Sequence, residues 1–322
     1  MTQYDIFNGD ADGLCALTQL RLEEDIDSKL ITGAKRDIRL LDEINFQEGD
    51  SILALDISLA RNRDLVIKAL DRGVRIRWID HHLPGEPIDN PLFESIIDTA
   101  SDVCTSVLVN HILDGRQSVW AAVGAFGDSI PMIGYELVKE IHSDEEIEEL
   151  KTLGRLLNYN AYGRTLKDLH FHPIDLYKSM LESKDPFCFM KTSMYYQLLN
   201  GYNDDMEIAR KKMDGGILIS LPNEPWAFRI SGSLAHLVAK EDPDLPHIIT
   251  SDLGNGTIRV SIRAPASNPQ GAGELCAHFG GGGRAAAGGI DILAIKTLDE
   301  LVDSVRKRWP MESTDSGTEG IN

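Results

Sequence analysis

Asp80, His81 and His82 directly follow a segment in which apolar side chains alternate with arginines, at the point where a predicted strand ends. A carboxylate next to two imidazoles suits Mn²⁺, Mg²⁺ or Fe²⁺ better than it suits a thiolate zinc site. In open α/β sheets, ligands collect at the carboxyl ends of the strands. These three residues are therefore predicted to contribute to a metal site.

Four more aspartates end predicted strands or helices in the first half of the chain. They are Asp10, Asp12, Asp56 and Asp128. Gathered in one place, so many carboxylates would repel one another unless cations neutralised them. Two divalent ions about 3.5–4 Å apart, bridged by a carboxylate, form the usual clamp for in-line attack on phosphorus. Any one of these aspartates alone reads as a helix cap or a turn residue, but the full set predicts phosphoryl chemistry.

Apolar, strand-like segments alternate with amphipathic helices over the first hundred residues. The predicted strands cover residues 4–7, 30–32, 52–56, 74–78 and 95–98. This alternation predicts a parallel sheet with right-handed crossovers. Beyond the sheet, Ser101 or Asp102 is predicted to cap a helix that reaches Leu113, and an acidic helix is predicted over residues 144–157.

The predicted fold class is α/β, with two lobes around a central cleft. Residues 1–158 are predicted to form an N-terminal parallel-sheet domain, and residues 159–213 a helical connector interrupted by prolines. Residues 214–309 are predicted to form a smaller C-terminal α/β domain. The polar residues 310–322 are predicted to be a disordered tail.

The chain has 51 acidic and 32 basic residues, which gives a net charge of −19. Long polyanions normally bind through a basic stripe, so a nucleic acid partner is predicted to be short and met by a few local cations. Four cysteines without CxxC spacing favour a reducing compartment. The sequence shows neither a signal peptide nor an apolar run of roughly 18 residues that would span a membrane. We therefore expect a cytoplasmic protein without a membrane partner, and a homodimer is left open.

Several short motifs, in their order along the chain, resemble those of the DHH phosphoesterases. They are Asn-Gly-Asp-Ala-Asp-Gly, Leu-Asp-Ile, Asp-His-His and Gly-Asp-Ser. The later glycine run, preceded by Val-Ser-Ile-Arg, resembles the DHHA1 substrate domain of the same family. The resemblance covers nearly the whole chain up to about residue 309. It implies a two-lobed enzyme with two Mn²⁺ ions in the first lobe, with Mg²⁺ or Fe²⁺ as alternatives, and a second lobe that holds a phosphate or nucleotide.

The resemblance also implies a metal ligand set. Asp10 and Asp12 would each hold one ion, and Asp56 would bridge both ions. His81 and Asp128 would complete the shell of the second ion.

Two neighbours of the ligand histidine are implied to take part in catalysis. His82 would lie beside the scissile phosphate, and Asp80 would orient a histidine, as acids outside the ligand shell often do. One position departs from the common motif, because many members have a histidine where this chain has Asn8. The amide oxygen of Asn8 is a weaker ligand, and Asn8 is kept as a candidate ligand of the first ion.

The glycine run has a physical interpretation of its own. Glycines without side chains let backbone amides approach a phosphate, although the bare pattern also describes a flexible loop. Arg284, where many members have histidine, favours anion binding because a guanidinium grips phosphate with two donors. The candidate substrate contacts are Gly281, Gly282, Gly283, Arg284, Arg263, His278 and, in the first lobe, His82.

Together these features predict a manganese-dependent phosphodiesterase that hydrolyses 5′-phosphorylated dinucleotides or very short RNA to mononucleotides through a water activated by two metals. The resemblance implies linear dinucleotides such as pGpG as substrates. Two alternatives stay open: a phosphatase for 3′-phosphoadenosine 5′-phosphate, and a nucleotide-binding sensor without catalysis. The intact acid set favours an enzyme over a sensor.

Overall fold

The computed structural model describes residues 1–42, 44–213 and 215–310. The described residues form two compact units, with the boundary between Asp204 and Asp205. The domain limits expected at residues 158 and 213 stay predictions. From residue 311 onward, the predicted disordered tail lies outside the described residues.

The first unit contains a five-stranded sheet in which all neighbouring strands are parallel. Its strands are β1 (Gln3–Phe7), β2 (Lys29–Ile31), β3 (Ser51–Leu55), β4 (Arg75–Asp80) and β5 (Phe93–Ile97). Their order across the sheet is β2-β1-β3-β4-β5. This confirms the predicted parallel sheet. The strand order reverses between β1 and β3, and a crevice for ligands forms outside the carboxyl ends of strands at such a point.

Helices cover both faces of this sheet. They are α1 (Ala11–Glu23), α2 (Leu59–Asp71), α3 (Thr105–Ile112), α4 (Ser118–Gly127), α5 (Pro131–Val138), α6 (Asp144–Ala161), α7 (Pro173–Ser183), α8 (Pro186–Phe189) and α9 (Ser193–Arg210). Successive strand residues point to opposite faces, so two apolar cores form. Phe7, Leu55 and Ile79 pack on one side with α1, α4 and α6, whereas Ile6 and Trp78 pack on the other with α2.

Helix α3 begins later than the sequence predicts. The expected cap at Ser101 or Asp102 is wrong, because the residue that precedes the helix is Cys104. The first amides of α3 are satisfied from another element: Thr105 N donates to Asp12 Oδ2 at 2.7 Å, and Ser106 N donates to Asp12 Oδ1 at 2.8 Å. A cap supplied from 93 residues away leaves no local signal in the sequence.

Helix α1 begins at the Asp-Ala-Asp-Gly segment. Asp10 Oδ1 accepts hydrogen bonds from the amides of Asp12 and Gly13, each at 3.1 Å, and so caps the helix. A Cβ at Gly13 would lie 2.3 Å from the carbonyl oxygen of Asn8, which is backbone and cannot swing away. The glycine of this motif is therefore required by the close approach of the preceding loop.

Gly13→Ala is expected to destabilise the protein by about 1–3 kcal/mol, since overpacked sites relax by shifting backbone. Denaturant unfolding would measure the change. Gly282→Ala is the matched control, because nothing lies within 4 Å of the added Cβ there. Equal stability of the two variants would contradict the steric account of the motif.

The second unit contains a mixed five-stranded sheet in the order β6-β7-β8-β10-β9. Its strands are β6 (Leu218–Leu221), β7 (His247–Gly254), β8 (Thr257–Arg263), β9 (Gly282–Gly283) and β10 (Ala287–Ala294). The pair β6 and β7 is parallel, and the other pairs are antiparallel. The helices are α10 (Pro225–Glu241), α11 (Ala272–His278) and α12 (Leu298–Arg308). None of the described helices is both long and apolar enough to span a membrane.

Candidate metal centre

The predicted acids meet at the carboxyl edge of the parallel sheet. Asp10 follows β1, Asp56 follows β3, and Asp80 is the last residue of β4. Asp12 lies in the first turn of α1, and Asp128 ends α4. All except Asp128 are buried, with 2% or less of their surface exposed. The structure therefore brings together the aspartates that the sequence singled out.

His81 presents a metal-binding nitrogen to two of these carboxylates. Its Nδ1 lies 3.1 Å from the carbonyl oxygen of Val103, and this hydrogen bond requires Nδ1 to carry the proton. In a neutral ring, Nε2 is then an acceptor, yet it faces Asp56 Oδ1 at 3.4 Å and Asp128 Oδ2 at 3.9 Å. An acceptor nitrogen that faces two carboxylate oxygens fits a bound cation, and ligand atoms of Asp56, His81 and His82 lie within 4.8 Å of one another. An imidazole with two carboxylates is a ligand set for Mn²⁺, Fe²⁺ or Mg²⁺.

Asp56 lies at the centre of this group in an unusual backbone conformation. Its φ is 56°, in the left-handed region that non-glycine residues seldom occupy and that recurs at functional sites. Burial raises its pKa well above the ordinary range, and the charges of Asp10 and Asp12 raise it further. Burial and the charge of Asp12 also raise the pKa of Asp128 to about 6. Without a cation, both carboxyls therefore bind a proton more tightly in the folded protein than in the unfolded chain.

His82 lies beside this group and is held by Asp80. Its Nδ1 donates to Asp80 Oδ1 at 2.7 Å, which leaves Nε2 as the ring atom for other partners. The side chain of His82 is 44% exposed, whereas that of Asp80 is fully buried. Burial alone would lower the pKa of His82, but the hydrogen bond and the charge of Asp80 raise it. Asp80 Oδ2 is buried without a protein hydrogen-bond partner among the described residues.

The remaining predicted ligands of the first unit have protein partners. Both carboxylate oxygens of Asp12 accept amides of α3, and Asp10 caps α1. The side chain of Asn8 accepts from the Asp10 amide at 3.3 Å and donates to the carbonyl of Lys35 at 3.4 Å. Asn8 therefore joins two loops at the edge of the site.

Lys35 is the main residue that the sequence analysis missed. Its ammonium forms an ion pair with Asp10 Oδ2, and Asp128 and Asp56 also stabilise its charge. Lys35 lies four residues after the end of β2, on the same carboxyl edge as the aspartates. The aspartates were identified because residues that follow parallel strands lie at the carboxyl edge of the sheet. The same criterion, applied to the short strand β2, identifies Lys35.

The candidate contacts of the second unit lie around the turn between β9 and β10. Arg284 is exposed in this turn, and its amide donates to the carbonyl of Ala287 at 2.8 Å. Arg263 ends β8, and His278 is the exposed last residue of α11. The glycines meet packing demands: a Cβ would lie 2.1 Å from the Gly289 carbonyl at position 281 and 2.4 Å from the Ala287 carbonyl at position 283.

The backbone amide of Gly281, a predicted substrate contact, is already used within the protein. The amide of Gly281 donates to the carbonyl of Cys276 at 2.8 Å, so it is not available to a phosphate. The amide serves instead to end α11. A hydrogen bond of this kind depends on where the helix stops, which the glycine pattern does not specify.

The stability of the metal-free protein is expected to fall as the pH rises from 3.8, the ordinary pKa of aspartate, through about 6, the raised pKa of Asp128, and on toward the raised pKa of Asp56. Raised pKa values at Asp56 and Asp128 mean that the folded state binds more protons than the unfolded chain, so deprotonation favours unfolding. Thermal unfolding in chelator would show this trend. Mn²⁺ at about 100 times its Kd should add about 2.7 kcal/mol. At one fixed Mn²⁺ concentration, the gain in melting temperature should be larger at the higher pH, because protons compete with the metal for the carboxylates. A melting temperature that rises with pH in chelator would contradict the assignment.

Comparisons by sequence identify no relative: no family model and no curated protein matches the chain. Solved structures do share its fold. The exonuclease RecJ bound to manganese matches with a TM-score of 0.58 at 15% identity, over 95% of this chain and 89% of that chain. A pGpG-specific phosphodiesterase, PggH from Vibrio cholerae, matches with a TM-score of 0.55 at 14% identity, over 96% of this chain and 98% of that chain.

A further match is RecJ from Thermus thermophilus in complex with Mn²⁺, with a TM-score of 0.63 at 14% identity. It covers 96% of this chain but 52% of that longer chain. These are DHH-family proteins. The α/β fold with two sheets that the motif resemblance implied is therefore confirmed.

Proposed function

We propose that this chain, which has the fold of the DHH phosphoesterases, is a metal-dependent phosphodiesterase that hydrolyses very short 5′-phosphorylated RNA, dinucleotides above all. The observation that carries the proposal is the convergence of His81 Nε2 with the carboxylates of Asp56 and Asp128. Acceptors held this close in a buried site fit a divalent cation, and the neighbouring His82 adds a donor for a phosphate.

Each residue of the site has its own role in hydrolysis. Divalent metal held by Asp56, His81 and Asp128 would lower the pKa of a water and neutralise charge on the phosphoryl oxygens. His82 is fixed by Asp80 through Nδ1 and is half exposed. In its imidazolium form, which the hydrogen bond and the charge of Asp80 favour, it donates from Nε2 to a phosphoryl oxygen. The water gives up a proton as its oxygen bonds to phosphorus, and the bond from phosphorus to the leaving 3′ oxygen breaks. That oxygen takes up one proton, so one water is consumed and the protons balance.

Two observations favour a short substrate. The net charge of −19 repels a long polyanion. The pGpG-specific phosphodiesterase shares the fold over nearly the full length of both chains, which supports a dinucleotide for this chain. The exonuclease matches support phosphodiester hydrolysis in general, without fixing the length of the strand.

The test is a panel of substrates with Mn²⁺, ranked by kcat/KM. It contains 5′-phosphorylated RNA of two, five, ten and twenty nucleotides, 3′-phosphoadenosine 5′-phosphate and polyphosphate. We expect dinucleotides to rank first, and kcat/KM to fall steeply as the length increases to five nucleotides. Equal efficiency on twenty nucleotides would indicate a long-strand exonuclease. Preference for 3′-phosphoadenosine 5′-phosphate would indicate a phosphatase, and tight binding without turnover would indicate a sensor.

Arg284 is proposed to hold the 5′-phosphate of the substrate. It is exposed, and its backbone is fixed by the hydrogen bond to Ala287. Arg284→Ala should lower kcat/KM for a 5′-phosphorylated dinucleotide by roughly 10- to 150-fold, the loss of a charge-assisted contact. For the dinucleotide without its 5′-phosphate, the same substitution should lower kcat/KM only slightly. Arg284→Lys should recover part of the difference, because a point charge cannot reproduce the fork. A variant that keeps the full preference for the 5′-phosphate would contradict this assignment.

A further inference from the structure

Asp10, one of the five aspartates at the site, already has a cation beside it. The ammonium of Lys35 donates to Asp10 Oδ2 and lies 5.5 Å from the centre of the Tyr162 ring. The lysine side chain is 25% exposed, and the Asp10 side chain is 3% exposed. A charge pair this sheltered is screened much less than a surface ion pair.

The backbone on both sides of this lysine is held in place. Its amide donates to the carbonyl of Ala161 at the end of α6, at 3.0 Å. Its carbonyl accepts from the side chain of Asn8 at 3.4 Å. One residue earlier, the amide of Ala34 donates to Asp37 Oδ2 at 2.9 Å. The position of the ammonium is therefore built into the fold, and the asparagine that replaces the histidine of the common motif is part of that support.

The partners of the five aspartates leave ligands for a single ion. Asp10 pairs with Lys35, Asp12 accepts two amides of α3, and Asp80 accepts from His82. Asp80 keeps Oδ2 without a protein partner among the described residues, and Asp56 Oδ1 accepts from Thr105 Oγ1 at 3.5 Å. The carboxylates that face Nε2 of His81 are those of Asp56 and Asp128. Two carboxylates and one imidazole suit one divalent cation with open positions for water and substrate.

We propose that the Lys35 ammonium takes the place of one of the two metal ions expected from the family motifs, so that the site binds one divalent ion. The second positive charge toward the phosphate is then supplied by the protein itself. The role toward phosphate rests on the proposed function, whereas the number of ions does not. Lys35 is thus a residue that sets the metal content and the charge of the site.

Metal counting tests the proposal without reference to turnover. The full chain, equilibrated with Mn²⁺ and freed of excess, should contain one Mn²⁺ per chain by elemental analysis. Its electron paramagnetic resonance spectrum should be that of an isolated ion, without the coupling of a bridged pair. Lys35→Met keeps the length of the side chain and removes its charge, so this variant should bind two Mn²⁺ per chain. Lys35→Arg should keep one.

Lys139→Met is the matched control, because Lys139 pairs with Glu136 on the surface and the change in net charge is the same. It should bind one Mn²⁺. Two coupled ions in the wild type would overturn the proposal, and so would a count of one in Lys35→Met. If Lys35→Met does not fold, the counts for the wild type and Lys35→Arg still decide. One ion in a wild type that hydrolyses no phosphodiester would contradict the proposed function and leave the assignment of Lys35 standing.

Discussion

Asp56→Asn is expected to release the bound metal and to lower kcat by about 10³-fold or more, while the fold survives. Asp56 lies 3.4 Å from His81 Nε2, and an amide is a poor replacement for the carboxylate there. Asparagine tolerates positive φ, so the backbone at 56° stays accessible to the variant. In chelator, the variant should be more stable than the wild type, because its side chain no longer meets the charges of the neighbouring aspartates.

Kinetics with Mn²⁺, elemental analysis and unfolding in chelator would check these three expectations together. Asp114→Asn is the control, since Asp114 is an exposed aspartate with a similar φ of 53°. It should change neither metal content nor turnover. Turnover and metal content like those of the wild type in Asp56→Asn would contradict the assignment of Asp56 to the metal site.

Asp80→Asn is expected to lower kcat by about 10²- to 10³-fold without loss of metal. Asp80 accepts the Nδ1 proton of His82 at 2.7 Å, and this bond fixes both the tautomer and the direction of the ring. An amide can donate to Nδ1 through its nitrogen, which would move the ring proton to Nε2 and remove the charge that favours the imidazolium. The pH dependence of kcat should shift along with its magnitude.

Asp80→Asn is expected to keep its metal, whereas Asp56→Asn is expected to lose it, so metal content distinguishes the two variants. Asp98→Asn serves as its control: Asp98 follows the neighbouring strand β5 and is exposed, and it accepts a local hydrogen bond from Ala100. Loss of metal from Asp80→Asn would show that Asp80 is a ligand and not a residue that positions His82.

The parts of the structure that were predictable depend on regular spacing along the chain. Apolar strands that alternate with helices specify a parallel sheet, and residues that follow such strands must meet at one edge. This is why Asp10, Asp56 and Asp80 were correctly expected to converge.

The features that escaped prediction are contacts between side chains and distant backbone. Nothing near Thr105 in the sequence indicates that Asp12 satisfies the first amides of α3. Likewise, the hydrogen bond from Gly281 to Cys276 depends on where α11 ends, and the pairing of Lys35 with Asp10 depends on how two loops meet. Such contacts are set by the packed fold and have no period in the sequence.

The two amides held by Asp12 have a consequence for how this fold would change during evolution. A descendant that no longer used the metal would lose selection on Asp128 and on Nε2 of His81, which face each other within the metal-binding group. It would still need an acid at position 12, because the first turn of α3 depends on that carboxylate. In chains of this fold that have lost the metal, we therefore expect an acid to persist at position 12 where the residues at positions 81 and 128 are replaced.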